Sequence, residues 1–209
     1  MTSPANPGEV KAWELLESRN SMDVCRLAKV SYNPGSRTYT IRSFGMDFQV
    51  SQLNKTISSA NPGSEVLQGK LSNFFRLSVL WYLVSAKEVI ETGRLVRLEN
   101  IKNGEIFSKG SHILPLERVA QKYGKNREGF IRTGRTLGGE LARQAGVSLR
   151  LLPLPRIPVV LALWMEDDEF PARADLLFDS TCQLQVATDV LWSIAMMSVL
   201  VMTDGEGSL

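Results

Sequence analysis

Eight residues between Thr133 and Glu140, TGRTLGGE, have the make-up of an anion-cradling loop, with backbone amides bared by glycine and the Arg135 guanidinium beside them. Neither phosphate motif fits: G-x-G-x-x-G is missing, and Glu140 stands where G-x-x-x-x-G-K-[ST] requires lysine. Gly138 and Gly139 are therefore either an anion nest or a helix break that needs close packing. A second group lies in 151–179, LLPLPRIPVVLALWMEDDEFPARADLLFD. Arg156, held between Pro155 and Pro158, sits on a rigid segment suited to a bidentate contact with carboxylate or phosphate. Its competing role is internal pairing with the acidic run Glu166-Asp167-Asp168-Glu169 or with Asp179. That run could offer oxygen ligands to a hard cation, but it lacks D-x-D-x-D-G spacing and reads first as a solvated hairpin turn containing Asp168. Asp179 ends an apolar run, where a carboxylate caps the following turn or serves a site. His112, the only histidine, could act alone as an axial ligand to a tetrapyrrole.

These residue types exclude several functions. Cys25 and Cys182 are too few for a four-ligand zinc or iron–sulfur site, and one histidine rules out a three-histidine metal centre within one chain. No metal and no cofactor is assigned. Lone thiols in a reducing compartment are the expected state of the two cysteines.

Charge is unevenly spread around a net +2. From 118 to 150, eight basic residues face Glu128 and Glu140, so 8 − 2 = +6; from 151 to 209, Arg156 and Arg173 face nine acids, so 2 − 9 = −7. The two segments either neutralise each other or leave a basic surface for an anionic ligand. A nucleic-acid reading of 118–150 is weakened by its few interleaved aromatics, Tyr123 and Phe130.

With 209 residues, 44% of them hydrophobic, the chain can bury one ordinary core. The expected layout is a leader over 1–10, a single α+β domain over 11–203 and a tail over 204–209. Short amphipathic helices flank the Asn20–Asp23 break. Turn signals Asn33-Pro34-Gly35-Ser36 and Gly45 bound two alternating strands, with Tyr39 and Ile41, then Met46, Phe48 and Val50, on the inner face. A central buried helix is expected over 67–92, stopped by Gly93. Further expectations are a strand over 94–98, a helix from Pro115 to Tyr123, a broken helix over 126–145, and an apolar helix over 184–202. The fold class is α+β, a mostly antiparallel sheet packed against the central helix, with the strand over 157–165 folding back through the acidic turn onto 176–178. The last helix either completes the core or forms a homodimer contact through 190–202. The most apolar run is too short to span a bilayer, and no secretion signal precedes the domain, so a soluble, cytoplasmic protein is expected.

Taken together these cues resemble the bacterial and archaeal family known as domain of unknown function 3786. The specific blocks are Leu152-Pro153-Leu154-Pro155-Arg156-Ile157-Pro158 and Trp164 through Asp168, Phe170-Pro171 and Leu177-Phe178-Asp179. Tyr39 to Phe48, the WYLVSA helix end, Pro115-Leu116 and Leu137-Gly138-Gly139 accompany them. The resemblance implies proteins of anaerobes, some with an added four-cysteine iron–sulfur domain like that of corrinoid iron–sulfur proteins. It thereby implies an accessory role near anaerobic corrinoid or one-carbon chemistry, and it supplies no catalytic residues.

The leading expectation is a non-catalytic domain holding a small anionic ligand, a cofactor or a protein partner, with Arg135, Gly138, Gly139, Arg156, Asp168, Asp179 and His112 as candidate contacts. The competing expectation is an enzyme using carboxylates of 166–179 with Arg156, which requires Asp179, Arg156 and His112 within hydrogen-bond reach.

Overall fold

The computed structural model describes residues 6–108 and 110–205. The alternating stretch near the start builds a meander of β1 (Ser31–Asn33), β2 (Thr38–Ser43), β3 (Met46–Ser51) and β4 (Thr56–Ser58), antiparallel throughout and in that order. Asn33 Oδ1 accepts from the Gly35 amide at 2.9 Å, closing the first turn. Phe44 and Gly45 take φ of 47° and 76°, the left-handed pair that a two-residue hairpin requires. Tyr39, Ile41, Phe48 and Val50 are fully buried, as the alternation predicts.

The second sheet is also antiparallel, with β5 (Leu95–Arg97), β6 (Glu140–Leu141), β7 (Val147–Leu154), β8 (Ile157–Trp164) and β9 (Arg173–Asp179) in the order β5-β9-β8-β7-β6. The strand and its return over the acidic turn form the β8–β9 hairpin, in register from Val159 opposite Phe178 to Trp164 opposite Arg173. The proline-bounded entry to β8 lies inside the sheet: β8 pairs with β7 on one side and β9 on the other, and Pro155-Arg156 is the β7–β8 turn. The prolines fit because the register shifts between Leu151 and Leu154, freeing two carbonyls from the ladder. Those carbonyls join the sheets, Leu152 O accepting from Phe44 N at 2.9 Å and Pro153 O from Ser43 Oγ at 2.7 Å.

Eight α-helices among the described residues, with three short 3-10 turns between 98 and 112, complete the chain: α1 (Pro7–Ser18), α2 (Ser21–Ala28), α3 (Glu65–Gln68), α4 (Ser72–Ser85), α5 (Leu116–Tyr123), α6 (Arg127–Thr136), α7 (Cys182–Gln185) and α8 (Thr188–Asp204). Asn6 and Asn20 cap the first two through their side-chain oxygens. The class is therefore α+β, with one core running from Trp13 of α1 to Met202 of α8. No helix among the described residues is long and apolar enough to cross a membrane.

Several expected boundaries are corrected. The helix over 67–92 is two helices, α3 and α4, and ends at Ser85. Buried Gln185 supplies the reason: its Oε1 accepts from Lys87 N at 2.9 Å and its Nε2 donates to Lys87 O at 3.1 Å. This side-chain amide takes over the N–H and C=O of Lys87, which would otherwise continue the helix, so Ile90 lies 90% exposed in a segment without regular secondary structure. The β8–β9 hairpin packs on α5 and α8, so α8 rather than α4 is the helix central to the second sheet. The last helix begins at Thr188, after the separate turn of α7. From Val190 to Met202 it is buried in its own chain apart from half-buried Trp192 and Met196, so it completes the core. Of the expected leader, residues 1–5 lie outside the described residues, while Pro7 already opens α1. Of the expected tail, 206–209 lie outside them, and Asp204 is a buried anchor, its carboxylate 2.6 Å from Lys70 Nζ and 2.5 Å from Arg118 Nη2.

Candidate functional site

Helix α6 carries the arrangement with the most ligand-binding character. Asn126 caps it by accepting from Gly129 N at 2.9 Å. Its inner face buries Gly129, Phe130, Thr133 and Gly134. A Cβ on Gly134 would lie 2.3 Å from Leu149 Cδ1, so the glycine lets the helix lie directly on β7. The outer face is then fixed by periodicity: Arg127, Ile131 and Arg135 form one row at four-residue spacing, and Glu128, Arg132 and Thr136 form the next. With Leu141 of β6 these residues line an open groove of about 720 Å³.

The basic segment divides in two on this structure. Arg118, Lys125 and Arg150 are paired with Asp204, Glu166 and Glu91 at 2.5, 3.0 and 2.9 Å. Arg127, Arg132, Arg135 and Arg143 are exposed and have no ion pair among the described residues. Arg135, a sequence candidate, is therefore at the groove, together with Arg127 and Arg132. These two could have been found from the four-residue spacing of Arg127, Ile131 and Arg135 and the three-residue spacing of Arg132 and Arg135. Leu141 could not, since only the sheet brings it there. Tyr123 and Phe130, the aromatics of the segment, are buried, so neither offers a face for base stacking.

Gly138 and Gly139 are structural. Gly139 N donates to Gly134 O at 2.8 Å and Gly138 N to Arg135 O at 3.0 Å, so these amides close the C-terminus of α6 and are not free for an anion. Gly138 has φ 67°, and a Cβ there would stand 2.8 Å from Gly45 Cα. The run is the helix break with close packing, and the backbones that touch are the end of α6 and the β2–β3 turn.

The remaining candidates are spread apart. Arg156 donates from Nε to Leu27 O at 2.6 Å and from Nη2 to Arg26 O at 3.2 Å, neutralising the exposed carbonyls at the end of α2. Asp179 is 3% exposed and binds Gly93 N at 2.7 Å, Thr181 N at 3.0 Å and Thr181 Oγ1 at 2.7 Å. Burial alone would raise its pKa, but the donors of Thr181, Thr92 and Gly93 outweigh it and hold the carboxyl below its ordinary value. It staples the loop before β5 to the turn after β9. The His112 ring sits 5.3 Å from the Trp192 ring, and its carbonyl accepts from Trp192 Nε1 at 2.8 Å. Asp168 is exposed in the hairpin loop. Asp179, Arg156 and His112 thus each serve different partners, and the constellation that the enzyme reading required is not assembled.

A second cleft, about 580 Å³, opens at the mouth of the β8–β9 hairpin between Val147, Trp164, Met165, Phe170 and Arg173. The Arg173 guanidinium stacks 4.4 Å from the Trp164 ring centroid, as cross-strand neighbours at that register allow. Among the described residues, no group of three histidine, cysteine, aspartate or glutamate side chains could hold a metal ion.

The fold and its surface define an α+β domain with an unpaired arginine groove and no assembled catalytic set among the sequence candidates. The chain belongs to the family described as domain of unknown function (DUF3786), whose model matches residues 21–200. That span runs from the start of α2 into the last turns of α8, so both sheets and the groove lie within it. No curated protein and no solved structure matches the chain.

Proposed function

We propose that the protein is a non-catalytic binding domain that takes an anionic ligand on the outer face of α6. The observation that carries this reading is the absence of any ion-pair partner for Arg127, Arg132 and Arg135 among the described residues, although all three line one groove. Three guanidiniums within two helical turns repel one another, and an anion bridging them removes that repulsion while accepting several charge-assisted hydrogen bonds. Ile131 and Leu141 add an apolar floor and wall, which favours an anion with some apolar body over a bare ion. The accessory setting implied by the family resemblance, near anaerobic one-carbon or corrinoid chemistry, is part of the same proposal.

Native mass spectrometry with ultraviolet–visible absorbance, on protein purified without oxygen, reads a retained ligand by mass and colour. The expected result is an anionic adduct on the wild type that is missing from Arg132→Glu/Arg135→Glu. An adduct held equally by both proteins would put the site elsewhere.

A further inference from the structure

We infer that the occupant of the α6 groove is the hairpin loop of a second copy of this chain, so that two copies pair loop to groove. The inference rests on reading the groove as an anion-accepting face and names its partner. The loop between β8 and β9 matches the groove in both charge and apolarity. Asp167, Asp168 and Glu169 are exposed, and none has an ion pair among the described residues; Phe170 beside them is 66% exposed. The groove offers the complement: three unpaired arginines, one of its lining residues being the acid Glu128, around half-buried Ile131 and Leu141, the latter 52% exposed.

The loop is also built to present these groups. Asp167 Oδ1 accepts from Glu169 N at 3.0 Å and Phe170 N at 2.7 Å, and Asp167 N donates to Phe170 O at 3.1 Å, a tight turn with little freedom left to lose on binding. Its base is pinned by Glu166, whose amide donates to Gly124 O at 3.2 Å and whose carboxylate meets Lys125 at 3.0 Å. Lys125 stands two residues before Arg127, so loop and groove begin at the same end of α6. Two adjacent patches that complement each other allow a closed pair in which each copy gives its loop and receives the other's. Phe170, preceded by Asp167, Asp168 and Glu169, also lines the cleft at the hairpin's mouth, yet stays 66% exposed, which leaves most of its ring open to a partner.

Sedimentation equilibrium tests the pairing with the full chain. Wild type should associate at low salt and dissociate near 1 M salt, where screening acts over about 3 Å. Asp168→Lys/Glu169→Lys and Arg132→Glu/Arg135→Glu should each be monomeric with unchanged circular dichroism, because each variant's loop and groove then carry like charge. An equimolar mixture of the two should associate, since both contacts become complementary again. Phe170→Ala should weaken wild-type association about tenfold or more through lost apolar burial. A monomeric wild type at low salt overturns the inference, as does association untouched by both reversals or a mixture that stays monomeric. The loop variant also separates the two readings: it should keep the groove's affinity for inorganic pyrophosphate while losing self-association. Pyrophosphate binding by a wild type that is monomeric would leave the anion-accepting face standing without its proposed occupant.

Discussion

Replacing Gly138 by alanine tests whether the glycine pair was selected for contact rather than for anion binding. Alanine in the left-handed region costs about 1–2 kcal/mol, offset by about 0.4–1 kcal/mol from the stiffer unfolded chain. Gly93 provides the control: its φ is 73°, close to the 67° of Gly138, but a Cβ there meets nothing within 4 Å. Gly93→Ala should therefore cost only the net conformational term, about 0.5–1 kcal/mol. At Gly138 the new Cβ falls 2.8 Å from Gly45 Cα and 3.1 Å from Gly45 N, backbone atoms that cannot swing aside. Forcing the two turns apart adds an overpacking cost, which brings Gly138→Ala to about 2–4 kcal/mol. In a chain of this size, those costs correspond to falls in Tm of about 1–4 °C for Gly93→Ala and about 4–16 °C for Gly138→Ala. Thermal and urea denaturation read the difference directly. Equal losses in the two variants would refute the close-approach account, and unchanged stability with lost anion binding in Gly138→Ala would restore the nest.

Asp179→Ala strands buried donors of Thr181 and Gly93, and should destabilise the fold by about 2–4 kcal/mol in urea titration. The wild-type carboxyl releases its proton more readily folded than unfolded, where the value is near 3.8. Its contribution is therefore complete at neutral pH and is lost as pH falls below that value through the lower folded one; Asp179→Ala should lose less stability over that acid range, and an identical acid slope in both proteins would contradict this. Burial pushes the Cys182 thiol up to about 12, while Cys25 is half-buried and raised by the same cause to a lesser depth. A thiol reagent at neutral pH should label Cys25 first and Cys182 only after denaturant is added, and equal labelling rates in native protein would oppose the packing described.

Where the sequence was informative, the signal was local and periodic. The 38–51 meander could be read because alternation and the Asn33 and Gly45 turns agree, and the β8–β9 hairpin because an acidic run separates two apolar ones. The α4 boundary was not legible, because the helix is stopped by Gln185, about a hundred residues away, and no propensity in 86–92 records that contact. The role of Arg156 was hidden for the same reason: its partners are carbonyls of Arg26 and Leu27, which sequence spacing cannot bring near. Asp204 looked like part of a polar tail, yet Lys70 and Arg118 converge on it from two other elements. Composition correctly marked 118–150 as unevenly charged. Only the three-dimensional arrangement separates the ion-paired Arg118, Lys125 and Arg150 from the four exposed arginines, because pairing depends on which acids the fold places opposite.

Isothermal titration of inorganic pyrophosphate at low ionic strength, into wild type and Arg127→Ala/Arg132→Ala/Arg135→Ala, bears most directly on the α6 groove. The account predicts saturable heat for the wild type that fades as salt is raised, and none for the triple variant at an unchanged Tm. Equal heats from both proteins, or no heat from the wild type, would contradict it.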